Sequence, residues 1–257
     1  MMSIGRREFL RIAGTCAVLG LPGIPTPPAS AQPSTRFVAA SGVRQAKQWA
    51  MVVDLDKLTE ADRIICVETC HRIHNVPQID NPRHEIKWIW VESFEHVFEE
   101  QANEFIPSNL LKRPVLVLCN HCGNPPCTRV CPTQATWRRE DGIVMMDWHR
   151  CIGCRYCMVA CPYGSRSFNW QDPRPFIGKA NQDFPTRTKG VVGKCTFCAE
   201  RLDQGLRPAC VESCPSGALV FGDLQDEHSE VRQLLASRFS IRRRPGLGTQ
   251  PEVYYLI

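Results

Sequence analysis

Four cysteines stand in "CIGCRYCMVACP": Cys151, Cys154, Cys157 and Cys161, followed by Pro162, in C-x2-C-x2-C-x3-C-P spacing. Three thiolates from one tight loop wrap a corner of a metal cube. The fourth, set at a turn before proline, points the other way, into a neighbouring cube. That is the spacing of a cubane [4Fe–4S] site. Zinc would want its ligands in two separated pairs, and cysteines so close on a short loop rarely reach disulfide geometry. "CNHCGNPPCTRVCP" repeats the device with Cys119, Cys122, Cys127, Cys131 and Pro132, its longer loop stiffened by Pro125 and Pro126. A third set is split, with Cys195 and Cys198 separated by eleven residues from Cys210, Cys214 and Pro215. Alone it also fits zinc. Beside two cubane loops, and with the same C-x3-C-P ending, it reads as another iron–sulfur site.

"ICVETCHRIHNVP" departs from the pattern, with only Cys66 and Cys70. A complete block would carry its first two cysteines near Leu58 and Ala61, so Cys66 and Cys70 read as third and fourth positions. C-x3-C-H is also one residue longer than the C-x2-C-H haem attachment motif. Haem is set aside because that extra residue redirects the thioethers. His71, His74, His121 and His149 flank the cysteine loops and are read as packing or hydrogen-bonding groups, not ligands.

The elements that must hold these loops are short. "AMVVDLDKL" reads as a strand. "TWRREDGIVMMDWHRC" reads as strand, Asp-Gly turn, strand, leading straight into Cys151. "CPSGALVFGDL" echoes "CPTQATW" as a Cys-Pro turn opening into a strand. The acidic run "ESFEHVFEEQANEF" reads as an exposed helix or lid, and "QDEHSEVRQLL" as a surface helix with Leu234 and Leu235 inward. Trp88, Trp90, Trp137, Trp148 and Trp170 are expected to cover the clusters and fill the core.

Among 257 residues there are 15 cysteines and 20 prolines, and the formal charge is +5. So many cysteines mean a disulfide scaffold or metal binding. The one basic cluster, Arg242-Arg243-Arg244, reads as a solvated strand edge or partner contact, which argues against a nucleic-acid partner. The chain shows no phosphate-cradling glycine loop, no nucleophile paired with a base and no dinucleotide fingerprint, so a separate substrate site is not expected.

The N-terminus reads as an export signal. Arg6 and Arg7 precede Phe9 and Leu10, a modestly apolar run from Ile12 to Leu21 follows, and Ala29-Ser30-Ala31 offers a cleavage site. The apolar run is shorter than the roughly 18 residues a spanning helix needs. It resembles a twin-arginine signal, a route for proteins already folded around a cofactor. The mature chain would start near Gln32 in the periplasm, without Cys16, peripheral on the inner membrane through its partners.

Taken together, "CHRIHNVP", "HEIKWIW", "CNHCGNPPC", "DGIVMMDWHRCIGCRYCMVACPYGSRSFNW", "DPRPF", "DFPTRTKGVVGKCTFCAERL", "PACVESCPSGALVFGDL" and "LGTQPEVYYL" resemble the periplasmic iron–sulfur subunits that pair with NrfD-type integral membrane proteins. Within that group the likeness is to the DsrO type, from the membrane complex linked to dissimilatory sulfite reductase. The resemblance implies an α+β fold of two pseudo-symmetric bacterial ferredoxin-like modules, with short β-hairpins and long connecting loops. Residues 1–31 would be the signal, 45–114 the first half of module A plus an insertion, and 115–170 module B. Residues 171–225 would complete module A, and 226–257 would form a C-terminal helix and tail.

Block pairing, first with fourth and second with third, is likewise implied by the resemblance, and it fixes the expected ligand sets. Cluster 1 takes Cys119, Cys122, Cys127 and Cys161; cluster 2 takes Cys151, Cys154, Cys157 and Cys131. Cluster 3 takes Cys195, Cys198, Cys210 and Cys70. Only Cys66 and Cys214 remain for a degenerate fourth site. Three [4Fe–4S] clusters are therefore expected, with Asp54, Asp62 or His71 the donors that could complete a fourth. Alternatively, Cys66 and Cys214 could join as a disulfide in an oxidising compartment. The implied role is electron transfer, not catalysis, between a quinone-interacting membrane subunit and a multihaem cytochrome c in sulfur metabolism. Two other readings stay open: an iron–sulfur subunit of a molybdopterin oxidoreductase, and a zinc- or disulfide-stabilised exported binding protein.

Overall fold

Trp49–Asp54 (β1) has every residue buried, so it is covered on both faces. Its alternation sorts the side chains. Trp49, Met51 and Val53 enter the main core, while Ala50 and Val52 turn to a smaller cluster on the opposite face. The computed structural model describes residues 43–257 except residue 102. The expected export signal, with Arg6, Arg7, Cys16 and Ala29-Ser30-Ala31, lies outside the described residues.

After β1, Thr59 opens Glu60–Ile73 (α1) with a capping box. The Thr59 hydroxyl accepts from the Asp62 N–H, and the Asp62 carboxylate accepts from the Thr59 N–H. Asp62, Cys66 and Cys70, spaced four apart, form the buried face of this helix. Ile89–Ser93 (β2) pairs antiparallel with Pro114–Leu118 (β3), which runs directly into Cys119. Between them lie the short helices Phe94–Val97 (α2) and Ser108–Leu111 (α3). The acidic run is not the exposed helix or lid expected: Phe94, Val97 and Phe98 are buried, and Phe98 meets Tyr255 edge-on at 5.1 Å. Its glutamates face solvent, but its aromatic residues anchor it to the core.

Pro126–Arg129 (α4) carries Cys127. The hairpin Thr136–Arg138 (β4) and Val144–Met146 (β5) follows, its turn using Gly142 at φ +90°. Tyr156–Ala160 (α5) carries Cys157. Ser167–Phe168 (β6) pairs with Val192–Gly193 (β7), which leads to Cys195. Ala199–Leu202 (α6) and Ala209–Glu212 (α7) flank the split cysteine set, and α7 packs against α1.

Leu219–Asp223 (β8) joins β1 antiparallel, and Glu230–Ser237 (α8) covers them. In α8 the fully buried side chain is Val231; Leu234 and Leu235 are half-buried. The residues expected as a tail form Ser240–Ile241 (β9) and Val253–Leu256 (β10). The sheet order is β8-β1-β10-β9, with β10 parallel to β1. Arg243 is correspondingly buried, with its guanidinium over the Tyr163 ring, so the triple-arginine run is not wholly a solvated edge. The fold is thus a mixed helix-and-strand architecture. No helix among the described residues is long and apolar enough to cross a membrane.

Candidate metal centre

Cys119, Cys122 and Cys127 come from the loop between β3 and α4, and Cys161 arrives from the end of α5. All four line one cavity, together with Pro125, Pro126 and Arg166. Burial pushes the Cys122 thiol up, and Cys119, Cys127 and Cys161 push it further. A thiol from the second loop therefore stands among three from the first.

A second quartet forms around Cys70. Burial, followed by Cys195, Cys198 and Cys210, drives the Cys70 thiol well above the ordinary thiol range. Cys210 is raised in the same way, by burial and then by Cys198 and Cys195. The Phe197 N–H donates to Cys195 Sγ and the Ala209 N–H to Cys198 Sγ, both at 3.4 Å. Burial first and Cys119 second push Cys195 up to about 12, so this quartet adjoins the first.

In the third set, burial works to raise the Cys157 thiol, Arg166 offsets part of that, and Cys127 of the first quartet and then Cys151 push it further up. Cys131 and Cys151 pack on the apolar cluster that holds Cys127 and Cys157. Burial works to raise Cys131, but hydrogen bonds from Thr133 and from the N–H groups of Thr136, Thr133 and Ala135 hold its thiol below the ordinary range. Cys154 is half-buried in its loop, and the described contacts do not bring it against another thiol.

Cys66 and Cys214 meet as a pair. Burial and then the neighbouring Cys214 push the Cys66 thiol up to about 12, and its Sγ donates to the Cys210 carbonyl at 3.3 Å. Both are free thiols. The donors suggested to complete this site are engaged elsewhere or lie apart from it. Asp62 gives one oxygen to Thr59 and the other to the Ser216 N–H at 3.2 Å. Asp54 is paired with Arg238 and Lys57. His71 lines the outer groove beside Glu68 and Arg72.

Two features escaped the spacing argument. In the opening C-x2-C of each four-cysteine set, the residue before the second cysteine, His121, Gly153 or Phe197, has φ between +41° and +71°. Such left-handed residues turn successive N–H groups into an anion-binding concavity. Only Gly153 advertises that conformation by its residue type. Among the tryptophans, Trp88 is buried, whereas Trp137 and Trp170 are each 40% exposed and cannot fill the core.

The second feature is buried positive charge. Arg166 is 4% exposed and Lys194 1% exposed, and among the described residues neither makes an ion pair. Arg166 Nη2 donates to Cys127 Sγ at 3.0 Å and to Thr136 Oγ1 at 2.8 Å. Burial opposes charge on that guanidinium, but Cys127, Cys157 and Cys119 hold it in place. His121, stacked on Phe197 at 3.7 Å, is kept well below its ordinary range by burial and by the Lys194 and Arg166 charges.

Buried thiols crowded in fours resist ionising on their own, and buried cations without carboxylates lack a counter-charge. A thiolate-held polynuclear cation satisfies both, because the thiolates bind the metal and the net anionic assembly faces the cations. The residues present therefore fit an iron–sulfur centre. A small N/S/O site fits less well. The donor atoms of His74, Cys198 and Glu200 lie within 4.8 Å, but the His74 nitrogens face the Cys70 carbonyl (2.9 Å) and Glu200 (2.8 Å).

Comparison with known proteins agrees. The family described as 4Fe-4S dicluster domain matches residues 115–175 and 181–224. The chain is 40% identical to the Hdr-like menaquinol oxidoreductase iron-sulfur subunit 1 of Archaeoglobus fulgidus, over 99% of this chain and 98% of that one. This chain belongs to the 4Fe-4S dicluster iron–sulfur subunits. A menaquinone reductase iron-sulfur cluster-binding subunit from Nitratidesulfovibrio vulgaris is 37% identical over 81% of this chain and 88% of its own length. A tetrathionate reductase subunit from Salmonella typhimurium is 45% identical over 62% and 56% of the two chains. Like its relatives, this dicluster chain is an electron-transfer subunit of a larger oxidoreductase complex, not its catalytic subunit.

Proposed function

We propose that the chain is a one-electron relay holding three [4Fe–4S] clusters in two ferredoxin-like modules. The observation that carries this reading is the crosswise grouping of thiols: Cys161 stands with Cys119, Cys122 and Cys127, and Cys70 with Cys195, Cys198 and Cys210. The ligand sets are then those two quartets and a third of Cys151, Cys154, Cys157 and Cys131. Each bound cluster supplies a one-electron couple, with its potential set by the protein around it. The protein's own work is to fix the thiolates, exclude water with the apolar and proline-rich walls, and keep the quartets adjacent. Cys66 and Cys214 are only two thiols, and the Asp62 carboxylate near Cys66 is already held by Thr59 and Ser216, too few donors for a cubane.

The finer reading places the chain outside the inner membrane after twin-arginine export. There it would pass electrons between a quinone-interacting, NrfD-type membrane subunit and a multihaem cytochrome c, in a complex linked to dissimilatory sulfite reductase. Names of the relatives above supply the support for a quinone-linked complex. A second reading, the iron–sulfur subunit of a molybdopterin oxidoreductase, is favoured by the likeness to the tetrathionate reductase chain. Identification of the subunits that co-purify decides between them: a molybdenum-containing catalytic chain would overturn the first.

Iron and acid-labile sulfide should each approach about 12 per chain, four for each of three cubanes. Cys70→Ala is expected to lower iron by about a third, whereas Cys66→Ala leaves it unchanged. Equal losses in the two variants would overturn the ligand assignment, and a colourless protein with bound zinc would overturn the function.

A further inference from the structure

Between the cysteine quartets sit two cations that nothing in the relay function by itself requires. Arg166 is held at three points: Cys127 Sγ at 3.0 Å, Thr136 Oγ1 at 2.8 Å and Met146 Sδ at 3.7 Å. These contacts come from α4, β4 and β5, so its position is fixed by the hairpin joining the two cysteine loops. It touches a thiol of the Cys119 quartet and stands beside Cys157 of the Cys151 quartet. Lys194 lies at the other boundary. It precedes Cys195, donates to the Cys195 carbonyl at 2.6 Å, and acts on His121, inside the Cys119 loop. The Cys119 and Cys195 thiols adjoin at that boundary.

We infer that Arg166 and Lys194 are positioning charges that raise the reduction potentials of the clusters they separate. Arg166 serves those of the Cys119 and Cys151 quartets, and Lys194 those of the Cys119 and Cys70 quartets. An electron entering a cluster adds one negative charge to a buried, thiolate-rich centre. A fixed cation nearby stabilises that reduced form more than the oxidised one, and low-dielectric surroundings enlarge the difference. The N–H to sulfur hydrogen bond from Arg166 acts in the same direction by drawing charge from the ligand. Arginine suits this position because its fork reaches all three anchors while remaining charged when buried. This inference rests on the three-cluster reading proposed above.

The test is a potentiometric titration of the purified full chain, read by electron paramagnetic resonance, with iron measured on each sample. Arg166→Gln should lower two of the three midpoints, each by about tenfold in the reduction equilibrium or about 59 mV for a one-electron couple. Lys194→Met should lower a different pair, sharing one midpoint with the first. Arg166→Lys should move less than half as far as Arg166→Gln, and Arg232→Gln, an exposed charge on α8 away from the quartets, should move none. Unchanged midpoints with full iron in both neutral variants would overturn the inference, as would equal shifts in Arg166→Lys and Arg166→Gln. If Arg166→Gln fails to keep its iron, Thr136→Val loosens the guanidinium without removing charge. It should lower the same two midpoints by a smaller amount, and no shift at full iron would overturn the proposal. A wild-type chain without iron would instead sink the relay function itself.

Discussion

Gly153 shows how little room a cysteine loop allows. Its φ is +71°, and a Cβ there would meet the Gly190 carbonyl oxygen at 2.3 Å, a backbone atom that cannot swing aside. Gly153→Ala therefore adds left-handed strain to a steric clash, each of order 1–3 kcal/mol. The expected outcome is selective loss of the cluster assigned to Cys151, Cys154, Cys157 and Cys131, seen as about a one-third fall in iron while the rest of the chain stays folded. Substituting His121 or Phe197 by glycine should instead be tolerated by the backbone, since both already adopt left-handed conformations. Cysteine types and spacings were legible in the sequence because a cubane demands a tight loop. The left-handed His121 and Phe197 were not, because neither residue type announces its backbone. Arg166 was likewise one letter among several until the hairpin brought it against Cys127.

Helix α1 spans the stretch where the spacing expectation put a cysteine loop. Its sequence signals are local: Thr59 and Asp62 for the cap, then Cys66 and Cys70 one turn apart on the buried face. Burial works to raise Asp62, but hydrogen bonds from Thr59 and Ser216 dominate and lower it to about 2 from 3.8. A depressed carboxylate contributes stability above its unfolded value, and this is lost as pH falls from about 4 towards 2. At neutral pH the shift corresponds to roughly 2 kcal/mol. Asp62→Ala should therefore lower the thermal midpoint at pH 7 by about 4–8 °C, at some 2–4 °C per kcal/mol in a domain this size. Because the same helix carries Cys70, iron of the Cys195 set should become easier to remove with a chelator. An unchanged midpoint and unchanged chelation rate would refute the coupling of cap to site. The β4–β5 hairpin and β1 were readable for the same local reason. The "ESFEHVFEEQANEF" run was misread because its charges were counted and the aromatic spacing of Phe94 and Phe98 was not.

Across the whole molecule, the C-terminal segment binds the sheet to the first cysteine loop. β10 lies between β1 and β9, and just before it Gly123 N–H donates to the Gln250 carbonyl and Asn124 N–H to the Thr249 carbonyl. Glu252 N–H donates to the Asn120 carbonyl at 2.8 Å. No local pattern discloses a parallel pairing between residues some two hundred apart, and for that reason the strand read as a tail. The clamp carries a cost at Glu252. Burial raises its carboxyl to about 7 from 4.5, with the Tyr254 hydroxyl and the Arg242 and Arg138 charges offsetting only part of that. A carboxyl raised on folding binds its proton more tightly in the native state, so stability is greatest below about pH 4.5 and falls as pH rises to about 7. The full effect is on the order of 3 kcal/mol. Glu252→Gln keeps the neutral hydrogen-bonding shape and removes the titration. Thermal midpoints of the wild type should decline between pH 5 and 8 relative to this variant, converging at the acid end. Parallel curves across that interval would show that Glu252 is solvated in the folded chain and that the clamp over the Cys119 loop is looser than its hydrogen bonds imply.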